Sequence, residues 1–265
     1  MKRFRHFLRV LRAQIRVAWM TALQYRSSFL GEFVTAGLWV GFTVAPLFVV
    51  YRHREGLAGW TYQESLLVVG FFITLQGLME AFIDPNLRSV VQHVRKGTLD
   101  FILLKPMDAQ LQVSIHQSAP AKFPHVLAGL LLIVATAVRL PRAPSPGAWL
   151  LAGLILAASV VLLHAIYTLI VCLSFWFVRV DNLSHLLLGF LDTSRWPVNM
   201  YRGAIRFFLT FILPLGVMTT YPALALRGLL QPSGAATVAA VALGFLWLSR
   251  RVWLLAVARY ASASS

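Results

Sequence analysis

Residues 148–178 read AWLLAGLILAASVVLLHAIYTLIVCLSFWFV, with no Asp, Glu, Lys or Arg among them. The hydrocarbon core of a bilayer is about 30 Å thick and a helix rises about 1.5 Å per residue, so about 20 apolar residues cross it. The run exceeds that length and predicts a transmembrane helix that tilts or projects beyond the bilayer. The rest of the chain agrees. It is 58% hydrophobic and 12% charged, with a mean hydropathy of +0.72, whereas a soluble domain carries about 25% charged residues. The chain reads as an all-α integral membrane protein.

Working outward from this run, five more apolar stretches stand out. They run from about Phe29 to Tyr51, from Leu66 (or Tyr62) to Ile83, from Phe123 to Val138, from Ile205 to Tyr221 with Pro214 inside, and from Ala235 to Ala258. Six transmembrane helices are expected, with Ala148–Val178 as the fourth. Turn chemistry separates them at Arg52–Gly59, at PRAPSPG (141–147) and at QPSG (231–234). The expected organisation is an amphipathic interfacial helix over 1–28, a six-span membrane domain over 29–260, and a tail at 261–265.

The N-terminal stretch does not read as a signal peptide, because arginines recur along it with no uninterrupted apolar core. Arg5, Arg9, Arg12 and Arg16 share one helical face; Phe4, Leu8, Leu11, Ile15 and Trp19 share another. That pattern fits a helix lying in the membrane interface, or a solvated helix packed on other protein. Cys172 is the single cysteine, so no internal disulfide is possible.

The chain has 24 Lys+Arg against nine Asp+Glu, a formal charge of +15. In a soluble protein such an excess suggests nucleic acid. In a membrane protein it reflects retention of basic residues on the cytoplasmic side, so the expected partner is the lipid bilayer and not nucleic acid. With both termini cytoplasmic, nineteen Lys and Arg fall inside, among them Arg195, Arg202 and Arg206, and five outside.

Between the second and third spans the chain reads HVRKGTLDFILLKPMDAQL, residues 93–111. Upstream, Leu87, Val90, Val91 and Val94 form an apolar helical stripe, while Arg88, Gln92, Arg95 and Lys96 lie off it. Gly97 suits a helix-ending left-handed cap. LDFILL then forms a second short apolar element, stopped by Pro106. The segment 86–106 makes a poor span and a good docking element for a cytoplasmic partner; the plainer alternative is an interfacial loop helix.

VRKGTLDFILLKPMDAQL resembles the loop after the second span in bacterial ABC transporter permeases of the type-2 exporter class. It looks most like an uncharacterised exporter-permease group in which a Gly-x-Leu-Asp-x-x-Leu-x-x-Pro run recurs. The matching positions are Gly97, Leu99, Asp100, Leu103 and Pro106. A second stretch, SRWPVNMYRGAIRFFLTFILPLGVMTTYPALAL (194–226), is similar to that group's Ser-Arg-Tyr-Pro segment, with Trp196 where tyrosine is usual. The resemblance implies a cytoplasmic coupling helix between spans two and three that sits on a separate ABC ATPase subunit. On this chain its residues would be Val94, Arg95, Lys96, Gly97, Leu99, Asp100, Phe101 and Leu103. It also implies a second permease subunit, identical or homologous, a place in the bacterial plasma (inner) membrane, and export of an amphiphilic or hydrophobic substrate such as a drug, lipid or peptide. Short external re-entrant helices around Tyr221–Leu230 belong to the same picture.

The sequence has no G-x-x-x-x-G-K-[ST] phosphate loop. ATP would therefore be bound and hydrolysed by the partner, and no cofactor is expected in this chain. There is no H-E-x-x-H pair, no cysteine cluster and no G-x-S-x-G context. A membrane-embedded enzyme or a scaffold without transport activity is the alternative class. His164, Tyr167 and Thr168 lie near one face of span four and would line a substrate path or hydrogen-bond between helices. Glu80 and Asp84 close span two, with Arg88 the expected local partner and basic groups of the ATPase the alternative. Glu32 is expected to anchor the start of span one near Arg26. Asp192, Arg195, Arg202 and Arg206 are expected on the cytoplasmic side before span five, as anchors, as a gate or as a second contact with the ATPase.

Overall fold

A computed structural model describes residues 2–54, 56–105, 107–177 and 181–260, with the side chains of 2–11 and 181–186 left aside. Pro106 and the tail 261–265 lie outside the described residues. The described chain is helical apart from its turns, with a single isolated bridge between Leu57 and Trp60. Helix α1 (Lys2–Gln24) precedes α2 (Arg26–Arg52), α3 (Tyr62–Leu78), α4 (Asp84–Arg95), the short α5 (Asp100–Leu103) and α6 (Ala109–Ile115). These lead into α7 (Phe123–Ala137), α8 (Pro146–Cys172), α9 (Asp181–Thr193), α10 (Gly203–Phe207), α11 (Leu215–Leu226) and α12 (Pro232–Ala258).

Among the described residues five helical stretches are long and apolar enough to cross a bilayer: Arg26–Arg52, Tyr62–Arg95, Pro120–Ala137, Pro146–Phe175 and Pro232–Ala258. A sixth is reached only if Gly203–Ile212 and Leu215–Leu226 count as one span, and these meet at 87°. The expected fifth span, Ile205–Tyr221, is therefore not one helix. Pro214 has no N–H to continue the ladder and its ring clashes with the preceding turn, so the helix stops at Ile212 and restarts at Leu215.

Helices α3, α7, α8 and α11 form the centre. Glycines bring α3 and α7 together: a Cβ on Gly129 would stand 2.4 Å from Thr74 Oγ1, and one on Gly77 2.7 Å from the Val126 nitrogen. Between apolar helices in lipid, backbone approach of this kind supplies the association that water supplies elsewhere. Phe72, Ile73, Leu75, Leu162 and Tyr167 fill the centre.

At one end of the bundle Thr61 and Glu64 form a capping box at the start of α3 (2.9 and 3.3 Å). Arg227, just past α11, pairs with Glu64 at 2.7 Å and stacks on Trp60 at 4.4 Å. The opposite, basic end holds α1 and the α4–α6 segment. There Glu32 accepts from Lys122 Nζ at 2.9 and 3.1 Å, so its anchor is Lys122 and not the nearby Arg26. Trp19 packs edge-on against Phe29 and Phe123. These contacts fix the C-terminal part of α1 against α2 and the start of α7.

The chain after α8 departs most from expectation. Ser159 sits thirteen residues from each end of α8, about 20 Å by helical rise. Its hydroxyl donates to the Met218 carbonyl (3.2 Å). Next to it, Thr219 Oγ1 donates to the Ser194 carbonyl (2.7 Å), and Val198 N–H donates to Thr220 Oγ1 (2.9 Å). The turn at 194–198 is thus held at mid-height of α8. Helix α9 rises from the basic end to that level, α10 and a π-helical turn (Phe208–Ile212) run sideways, and α11 completes the crossing toward Arg227. Arg195, Arg202 and Arg206 belong to this mid-height break, not to a basic-end loop before a span. Moving these three out of the cytoplasmic tally leaves sixteen against five, so the charge asymmetry stands.

Candidate functional site

The α4–α6 segment is built from the inside out. Asp84 and Pro85 start α4 directly after a π-helical turn at Met79–Ile83 that continues α3. A π turn displaces one carbonyl from the regular ladder, and here the Ala81 carbonyl accepts from Ala119 N–H (2.8 Å). Asn86, buried, spans the same junction. Its Nδ2 donates to the carbonyls of Phe82 (2.7 Å) and Gln117 (2.6 Å), and its Oδ1 accepts from Gln117 N–H (2.6 Å). The two ends of the segment are thereby clamped together.

The apolar stripe of α4 faces the chain's own core: Leu87, Val90 and Val91 are buried, and Val94 is half-buried against them. Gln92, Arg95 and Lys96 point outward. Gly97 takes φ +64°, the left-handed value anticipated for it. Thr98 N–H donates to the His93 carbonyl (2.9 Å) and Gly97 N–H to the Val94 carbonyl (3.2 Å), the paired bonds of a Schellman cap. A residue with a Cβ resists that backbone.

After this cap the chain doubles back and splits the LDFILL element by side. Leu99 is 0% exposed and Ile102 is buried with it, both in the central cluster. Phe101 is 71% and Leu104 81% exposed. Leu103, Asp100 and Val94 are intermediate. Of the sequence-derived set, then, Leu99 is occupied inside the chain, whereas Phe101 presents a free ring. Leu104, which the sequence reading passed over, stands beside it.

Polar ties connect the segment to other helices. Arg250 of α12 pairs with Asp108 at 2.5 and 3.1 Å and donates to Gln110 Oε1 at 3.0 Å. Asp108 also caps α6 through Leu111 N–H (3.0 Å). Burial alone would raise the Asp108 carboxyl; the Arg250 guanidinium and the Leu111 N–H outweigh it and hold the group below its ordinary value. His164 of α8 bonds Ser114 of α6 at 2.9 Å. Gln14 of α1 bonds His116 at 3.1 Å.

Three residues of α8 were expected either to line a path or to bond between helices. Tyr167 and Thr168 are buried within the chain; Tyr167 donates to Asp84, and Thr168 to the His164 carbonyl at 2.8 Å. Asp84 also takes Arg88 Nε at 2.7 Å, the local pair anticipated, while Glu80 accepts from Gln76 at 3.2 Å. In this conformation His164 and Tyr167 bond to neighbouring helices, the second of the two roles expected for them, and Thr168 bonds within α8. Among the described residues no group of three or more His, Cys, Asp or Glu is placed to hold a metal ion.

A broken span and an amphipathic element projecting from the opposite side of the same bundle are features of helical transporters, in which irregular backbone at membrane depth is tolerated where it lines a cavity. No curated protein and no solved structure matches the chain. A family model described as ABC-2 family transporter protein matches residues 38–264, nearly the whole of the chain. Spanning helices and family match together establish that this chain belongs to the ABC-2 transporter family, as a membrane-spanning permease.

Proposed function

We propose that the chain is the permease of an ATP-driven exporter, moving an amphiphilic or hydrophobic substrate from the cytoplasm or inner leaflet outward. It works in the bacterial plasma membrane with both termini cytoplasmic, beside a second permease, identical or homologous, and two ABC ATPase subunits that bind the ATP. The basic end of the bundle is the cytoplasmic end.

The observation that carries this reading is the pair Phe101 and Leu104. Two large apolar side chains stand free on an element whose other side is fixed in the core by Leu99 and Ile102. Such a knob suits a pocket on a cytoplasmic subunit, since interfaces draw their affinity from a few apolar anchors. Displacement of the knob then passes to α12 through Asp108–Arg250, to α8 through Ser114–His164, and to α3 through the π turn and Asn86. The exposed Lys96 beside the Gly97 cap steers the approach.

The test uses Cys172→Ser as background, because Cys172 is buried. Single cysteines at positions 93–104 are crosslinked to the copurified ATPase. Crosslinks at 101 and 104, with 99 and 102 silent, are the expected result. An even response across the window, or none, overturns the docking assignment.

A further inference from the structure

Arg202 and Arg206 follow directly on the mid-height turn at 194–198, and among the described residues no acid pairs with either. The segment that carries them leaves the mid-height turn at 194–198, runs at 87° to α11, and rejoins it at Leu213–Pro214. Both arginines are exposed. Among the described side chains five acids are engaged elsewhere: Glu32 with Lys122, Glu64 with Arg227, Asp84 with Arg88, Asp108 with Arg250, Asp192 with Arg195. Glu80 and Asp100 belong to the basic end. Among the described residues neither Arg202 nor Arg206 has an ion pair or a side-chain hydrogen bond. A guanidinium at membrane depth is costly and faces a bundle interior or a water-filled path, not lipid.

Arg206 also lines a cavity of ≈ 320 Å³ in the angle between α10 and α11. Phe207, Phe211 and Tyr221 supply apolar walls, and Thr210 lies one turn from Arg206. The Thr210 hydroxyl donates to the Arg206 carbonyl (2.6 Å). The site is therefore cationic at one point and aromatic around it.

We infer that this break binds the anionic head group of an amphiphile, with Arg206 and Arg202 taking a phosphate or carboxylate and the aromatic walls taking the adjoining tail. Planar guanidinium donors match such oxygens bidentately. This deepens the exporter reading and rests on it, since it names the substrate class as anionic amphiphiles.

The experiment uses the intact permease–ATPase complex in phosphatidylcholine nanodiscs and measures saturable binding of radiolabelled dodecyl phosphate. Unlabelled dodecyl phosphate should compete, while dodecyltrimethylammonium of the same chain length and inorganic phosphate should not. Arg206→Gln should weaken binding about tenfold and the double Arg202→Gln/Arg206→Gln variant further, as expected for charge-assisted bonds; Arg206→Lys should retain part of the affinity. Competition by phosphatidylglycerol supports the site with the bilayer as source, and its failure supports the site with a soluble source. Equal competition by the cationic amphiphile, read on the unaltered complex, overturns the inference, as does unchanged binding by a double variant that still copurifies its ATPase. Those outcomes leave the exporter reading standing; a permease that recovers no ATPase overturns that reading whatever dodecyl phosphate does.

Discussion

Truncating Phe101 separates a docking anchor from a structural side chain, because its neighbour Leu99 provides the opposite case two residues away. A phenylalanine offers roughly 200 Å². With 71% of it exposed, about 140 Å² remains for a partner. At about 25 cal/mol per Å² full burial is worth about 3.5 kcal/mol, and incomplete burial brings this to about 2 kcal/mol. Phe101→Ala should therefore weaken ATPase binding to the permease about thirtyfold and leave the permease's thermal unfolding unchanged. Leu99→Ala should do the reverse. A side chain at 0% exposure leaves a cavity when truncated, which costs about 2–5 kcal/mol of fold stability. The assay is titration of purified ATPase onto immobilised permease nanodiscs, paired with tryptophan-fluorescence melting of the permease alone. An affinity change within twofold for Phe101→Ala, or a fall in its melting temperature equal to that of Leu99→Ala, refutes the division of the element into an outward and an inward face.

Reporter fusions at Gly56 and Pro144 should read outside and a fusion at Gly97 inside; an outside signal at Gly97 would invert the bundle. Gly129→Val should cost about 1–3 kcal/mol or more, because its side chain meets Thr74 Oγ1 and the Thr74 nitrogen at 2.4 and 2.5 Å, whereas Gly153→Ala, with nothing within 4 Å, should be nearly neutral in the same melting assay. The Asp108–Arg250 tie should be independent of pH from 8 to 5. The carboxyl is depressed in the folded chain, so its contribution is complete above the ordinary value near ~3.9 and is lost as pH falls through the lower folded value. The melting difference between the natural chain and Arg250→Gln should accordingly close only below about pH 4.

What the sequence disclosed and what it hid follow from the range of the forces involved. Long apolar runs, the Gly97 cap, the Asp84–Arg88 pair and the apolar stripe of α4 are local, and a helical period or a four-residue spacing carries each of them. The direction in which that stripe faces is not local. Leu87, Val90 and Val91 could cover a partner or the chain's own bundle with the same pattern, and only the packing of α4 on α6 and α8 decides for the bundle. The same holds for Leu99 against Phe101: period alone says that they differ in direction, and tertiary contact says which one is free. Asn86 was legible as a polar residue beside an apolar stripe but not as a clamp, since its partner carbonyl at Gln117 lies 31 residues on.

The break between α9 and α11 was misread for a physical reason that bears on function. SRWPVNMYRG is polar and carries two arginines, so a hydropathy reading puts it in water at the membrane surface. The structure keeps it at mid-height by spending buried threonines on it. Thr219 and Thr220 satisfy the Ser194 carbonyl and the Val198 N–H that a broken helix leaves open, as they must be satisfied where no water is available. Two β-branched hydroxyl residues in the middle of a buried helix were the available signal, unremarkable alone and informative only beside a proline-broken run. A chain that places arginines at this break, with no acid paired to them among the described residues, carries an electrostatic cost that a second molecule can relieve. On the reading proposed above, that cost links the fold to transport: the segment carrying Phe101 and Leu104 is tied to α3, α8 and α12, so motion delivered to it would reach the break where Arg202 and Arg206 stand.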